Sequence, residues 1–70
     1  MKRRNVSSSK IQTVAYDTEQ KMLEIEFRQH EVYRYRHVPL TVFHLLMAAQ
    51  SKGQFFADNI KNQYPFYRII

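Results

Sequence analysis

Between Lys21 and Arg28, apolar and charged residues alternate, with Leu23, Ile25 and Phe27 on one side and Glu24, Glu26 and Arg28 on the other. A period of two marks a strand buried on one face. Wound into a helix, the same residues would scatter both sets of side chains around the axis. Val32-Tyr33-Arg34-Tyr35-Arg36 repeats the alternation, so these segments form a hairpin with one apolar face. The connection decides the register. A three-residue loop over Gln29-His30-Glu31 sets Phe27 opposite Tyr33, Ile25 opposite Tyr35, Glu26 opposite Arg34 and Glu24 opposite Arg36, and every pair is complementary. A two-residue loop would place Ile25 beside Arg34 and Glu26 beside Tyr33.

Ile11-Gln12-Thr13-Val14-Ala15-Tyr16 is β-branched and aromatic and is closed by the turn-prone Asp17-Thr18, which makes it a further strand. Three such strands need a cover. Val38-Pro39 ends the sheet and opens a helix, because the fixed φ and missing N–H of proline cost nothing in a first helical turn. Val42, Leu45, Leu46 and Ala49 follow at helical spacing as its core stripe, widened by Phe43 and Met47. Ser51-Lys52-Gly53-Gln54 has the form of a capping box for a second helix from Lys52 to about Lys61, with Phe56 and Ile60 facing inward and Asn62 at the left-handed C-terminal position. The tail from Tyr64 to Ile70 is too apolar to float free and is expected to cover the core or to contact another chain. The expected fold is α+β: a three-stranded antiparallel meander followed by two helices packed on one sheet face. A flexible basic arm over residues 1-9 precedes a single domain over residues 10-70.

Composition removes whole classes of function. The single glycine, Gly53, excludes phosphate-cradling glycine loops. The absence of cysteine excludes disulfides and thiolate metal sites, and fits a reducing, cytoplasmic compartment. Met1-Lys2-Arg3-Arg4 is followed by polar residues where a secretory signal needs an apolar stretch, and no apolar run approaches membrane-spanning length, so no membrane partner is expected. His30, His37 and His44 stand seven apart, and His30-Glu31-Val32-Tyr33-Arg34 lacks the second histidine of the zinc-protease pattern. Glu24 and Glu26 face arginines that hold them ionised, and Ser7-Ser8-Ser9 has no neighbouring base. No catalytic residue, metal or cofactor is implied, and the chain reads as non-enzymatic.

Ser7-Ser8 leading to Ile11, Tyr16-Asp17, Leu23 to Phe27, Tyr33-Arg34-Tyr35, Val38-Pro39, and Ser51-Lys52-Gly53 followed by Phe55-Phe56 and Ile60 occur in an order that resembles the KTSC family. This is a small bacterial domain, also found at the C-terminus of some lysyl-tRNA synthetases. The resemblance covers about residues 6 to 64, with Ala15 and Gln29-His30 standing where the family often has glycine. It implies a stand-alone domain for which RNA binding has been suggested.

The net charge of +5 is unevenly spread, since Lys2, Arg3, Arg4 and Lys10 lie within the first ten residues and leave the remainder nearly neutral. These four cations, assisted by Arg28 and Lys52, are the expected phosphate contacts for RNA or another nucleic acid. Ser51, Lys52 and Gly53 form a candidate anion site at a helix start, against the alternative of a simple cap. Tyr33 and Tyr35, straddling Arg34, form a candidate base-stacking pair, against the alternative that both pack under the first helix. A protein-interaction or self-associating module, such as a homodimer, is the competing functional class, using the aromatic, apolar C-terminal segment.

Overall fold

A computed structural model describes all 70 residues. Strands β1 (Arg4–Asn5), β2 (Ile11–Asp17), β3 (Met22–Phe27), β4 (Val32–Tyr35) and β5 (Phe66–Arg68) form one antiparallel sheet in chain order. Helices α1 (Leu40–Ala48) and α2 (Lys52–Asn59) are inserted between β4 and β5. The architecture is α+β, but the sheet has five strands where the side-chain pattern announces three. Both extra strands are too short to show a period. Arg4 and Asn5 lie opposite Val14 and Thr13, so part of the stretch expected as a flexible arm pairs with β2. The apolar tail adds β5 to the edge of β4, where the Arg36 N–H donates to the Pro65 carbonyl and the Val32 N–H to that of Ile70.

The β3–β4 loop is three residues long, but it is Arg28-Gln29-His30 rather than Gln29-His30-Glu31. The His30 N–H donates to the Phe27 carbonyl and the Phe27 N–H to that of Glu31, both at 2.8 Å, while His30 sits at φ 72°. A tight turn followed by one left-handed residue is a standard three-residue hairpin connection. Histidine enters the left-handed region more readily than most side chains, which favours His30 over Glu31 there. Moving the loop by one residue moves the register by two: Leu23 pairs with Tyr35, Glu24 with Arg34, Ile25 with Tyr33 and Glu26 with Val32. An even displacement keeps each side chain on its face. The faces are therefore as expected, whereas the Glu26–Arg34 and Glu24–Arg36 pairs are not formed.

One face buries Ile11, Val14, Leu23, Ile25 and Tyr35 against Phe43 and Leu46 of α1 and Phe56 of α2, with Val38 and Ile60 closing the core. Tyr16 stacks on Phe43 at 5.1 Å, and its hydroxyl donates to the Val38 carbonyl. Phe56 meets the rings of Phe27 and Tyr35 edge-on, both at 5.4 Å. The α1 stripe is centred on Phe43 and Leu46 with Val42 and Met47 partly buried, so Leu45, expected inside, is exposed. In α2 the Ser51 Oγ accepts from the Gln54 N–H at 3.2 Å. The Gln54 side chain turns forward to Asp58 and leaves the capping box half made. The helix stops at Asn59 as the N–H groups of Ile60 and Lys61 both converge on the Phe56 carbonyl, and Asn62 does not take a left-handed conformation.

The face without helices is closed by charge. Glu24, only 4% exposed, accepts from Arg3 Nε at 2.7 Å and from Arg34 Nε at 2.9 Å. Arg3 also approaches Glu26 at 3.9 Å, and Thr13 Oγ1 donates to Glu26 at 3.0 Å. Burial acts to raise the Glu24 pKa, but the hydrogen bonds and charges of Arg34 and Arg3 together hold it below its ordinary value.

Because His30 carries a Cβ in the left-handed region, His30→Gly is expected to raise stability by about 0.5–1 kcal/mol in urea denaturation while preserving the register. A loss of stability would contradict the assigned role of this loop position.

Candidate functional site

Three segments converge at one end of the sheet. Before β2, Ser8 Oγ accepts from the N–H groups of Lys10 and Ile11, both at 3.2 Å, and so turns the chain into the strand. From the hairpin, the Arg28 N–H donates to the Lys10 carbonyl, Arg28 Nε to the Ser8 carbonyl and Arg28 Nη1 to Gln12 Oε1, the last two at 2.8 Å. From the helical layer comes the start of α2, where Lys52 Nζ donates to the Ala49 carbonyl at 2.9 Å. Ser7, Ser8, Ser9, Arg28, Gln50, Ser51 and Lys52 line a recess of about 370 Å³ that contains no apolar residue.

The same segments also border a second recess. Ser9, Arg28 and Lys52 line the polar one, and their chain neighbours Lys10, Phe27 and Gly53 line an aromatic one of about 400 Å³ between α2 and β5. The stem of Lys10 lies across Gly53, where a Cβ would stand 3.4 Å from Lys10 Cδ. Phe27, Tyr33, Tyr35, Phe56 and Phe66 supply the rings of this second recess, and Lys10, Lys61, Glu31 and Asn62 contribute its polar groups. Tyr33 stacks on Tyr35 at 6.5 Å and touches Phe66 at 5.7 Å, while Tyr35 lies 5.4 Å from Phe66. Burial, with the nearby Tyr33, pushes the Tyr35 hydroxyl up to about 12, so it stays a neutral phenol at neutral pH.

Of the residues singled out from sequence, Lys10, Arg28, Ser51, Lys52, Gly53, Tyr33 and Tyr35 gather around these two recesses. The other three cations do not. Arg3 is held by Glu24, while Lys2 and Arg4 border a separate hollow in which Arg4 lies 6.0 Å from the Phe43 ring centre. Tyr33 and Tyr35 are on the helix-covered face, but the helix beside them is α2 rather than α1. Phe66 and Lys61 were absent from the expected site. The apolar tail signalled Phe66, but only pairing with β4 brings it beside Tyr33 and Tyr35. The serines, unpromising as nucleophiles, act as recess wall and strand cap. Carboxylates lie within 4.0 Å of only Arg3, Arg34 and Arg68, so eight of the eleven cations have no acidic partner, including Lys10, Arg28, Lys52 and Lys61.

Comparison with known proteins gives a consistent picture. The sequence profile of the KTSC domain matches residues 7–64. An uncharacterised protein of Stutzerimonas stutzeri is 41% identical over 70 residues, covering 99% of each chain. A lysine–tRNA ligase of Nostoc sp. is 38% identical over 59 residues, which is 84% of this chain but 10% of that enzyme. The crystal structure of a KTSC domain protein from Yersinia pestis superposes with a TM-score of 0.96 at 40% identity, covering 99% of this chain and 97% of the other.

Gly53 has an ordinary negative φ, and an added Cβ meets the Lys10 stem at van der Waals distance. Gly53→Ala is therefore expected to raise stability by about 0.4–1 kcal/mol in chemical denaturation. A net loss would mean that the Lys10 stem cannot yield at that contact.

Proposed function

The chain belongs to the KTSC domain family, and from that premise we propose that it is a non-enzymatic, cytoplasmic module that binds RNA weakly through its phosphates, with little sequence preference. The observation that carries this reading is the grouping of Lys10, Arg28, Lys52 and Lys61 around two adjoining recesses with no carboxylate in contact with any of them. A guanidinium has five N–H donors and an ammonium three, so Arg28 and Lys52 keep free donors after their bonds to the protein. The serine hydroxyls and the N-terminal end of α2 add neutral donors beside them. A homologous segment within a lysine–tRNA ligase is a second support, since that relative works on an RNA. The weight falls on these four cations more than on the first four residues, because Arg3 is engaged by Glu24. Lys2 and Arg4 add long-range attraction.

A protein-binding or self-associating role is favoured by a different observation, the exposed apolar residues of the C-terminal edge, including Phe66 and Ile70. Sedimentation of the chain alone addresses it directly.

Titration of the full chain with labelled single-stranded RNA at several salt concentrations tests the phosphate reading. Four phosphate contacts on a single strand predict a slope of log affinity against log salt of about −3. Neither the Lys10 nor the Lys61 ammonium bonds to the protein. The pair Lys10→Gln and Lys61→Gln is therefore expected to reduce the slope by about 1.4 with the fold intact. Unchanged slope and affinity would remove these cations from the interface, and no binding at low salt would overturn the RNA reading in favour of the protein-binding one. Deleting residues 1-8 is a poorer test, since it also removes β1 and the Arg3–Glu24 pair.

A further inference from the structure

Phe66 is 55% exposed, although it stands in van der Waals range of a buried aromatic cluster. Its neighbour Tyr33 is half-buried, with Phe27 against its edge at 5.8 Å. Together they present ring surface that no element of the fold covers, in a recess of about 400 Å³, within the size range of small-molecule sites. The charge around that surface has one sign to offer. Lys10 and Lys61 have no carboxylate partner, and the one acidic residue of the recess, Glu31, is held by Arg68 at 3.5 Å. Flat apolar rings bordered by unpaired cations complement a ligand that is flat and apolar in the middle and anionic on its flanks.

Resting on the phosphate-binding reading above, we propose that the recess between α2 and β5 holds one unpaired nucleobase of a single-stranded RNA, stacked against Phe66 and Tyr33, while Lys10 and Lys61 hold the flanking phosphates. The strand continues from Lys10 into the serine-lined recess, where Arg28 and Lys52 meet the next phosphate. Every base has a π-face, so stacking of this kind adds affinity without sequence discrimination. Duplex RNA is excluded, because its bases are already stacked on one another.

The test uses two probes of equal length and charge with the full chain: a single-stranded oligoadenylate and its abasic ribose-phosphate counterpart. The oligoadenylate is expected to bind about tenfold more tightly, in keeping with the contribution of one stacked base. Phe66→Leu should abolish most of that difference without changing the salt slope, and circular dichroism checks that the fold is intact. Ring protons of Phe66 and Tyr33 should shift with oligoadenylate and not with the abasic chain. Equal affinity of both probes, with the slope still reduced by Lys10→Gln, would overturn the base site and leave phosphate binding standing. Failure of both probes to bind at low salt would overturn both. Self-association lost in Phe66→Leu, with nucleic-acid affinity unchanged, would assign the recess to a second copy of the chain and also overturn the proposal.

Discussion

A carboxylate buried in the middle of a sheet must be matched or it becomes a liability, and Glu24 is matched from both sides. Arg3, one residue before β1, and Arg34 of β4 each donate an Nε–H to one of its oxygens. Breaking a buried pair costs several kcal/mol, roughly 3–5 when the remaining charge cannot reach water. Here both arginines keep contact with solvent, which reduces that penalty. The consequence is topological as much as energetic. β1 is two residues long and has little apolar surface to hold it, so the Arg3–Glu24 bond anchors an otherwise marginal strand. The pKa of Glu24 is lower in the folded chain than in the unfolded one, so the pairing contributes its full stability above about pH 4.3. That contribution is lost as the pH falls through the folded value.

This internal neutralisation shapes the rest of the surface. Glu24, Glu26 and Glu31 take up three arginines, and the surplus positive charge is left on residues at the two recesses and along the edges. Phe66 pairs with Tyr35 and so lies on the same face of the sheet, yet it is 55% exposed whereas Tyr35 is 3% exposed. The aromatic recess lies where β5 extends the sheet beside α2.

How much of this could be read from the chain depends on the period involved. Alternation in β3 and β4 revealed both strands and the face of every residue in them, because burial imposes a strict period of two. It could not locate the loop to the residue, since shifting the pairing by two positions leaves the pattern unchanged. The left-handed conformation of His30 settles it. β1 and β5 were invisible because two or three residues carry no period. The two recesses depend on contacts between residues far apart in sequence. Lys10 against Gly53, Arg28 against Ser8, and Phe66 against Tyr33 are all consequences of tertiary placement. The residue types were legible, and their grouping was not.

The Arg3–Glu24–Arg34 cluster is probed most directly by side-chain NMR of the full chain through an acid titration. The Glu24 carboxyl carbon is expected to titrate with a midpoint below that of an ordinary glutamate, about 4.3. The Nε–H signals of Arg3 and Arg34 should be protected from exchange at neutral pH and lost together as Glu24 takes up its proton. A midpoint at or above the ordinary value, with the Arg3 Nε–H exchanging like that of a free side chain, would contradict the cluster and with it the anchoring of β1.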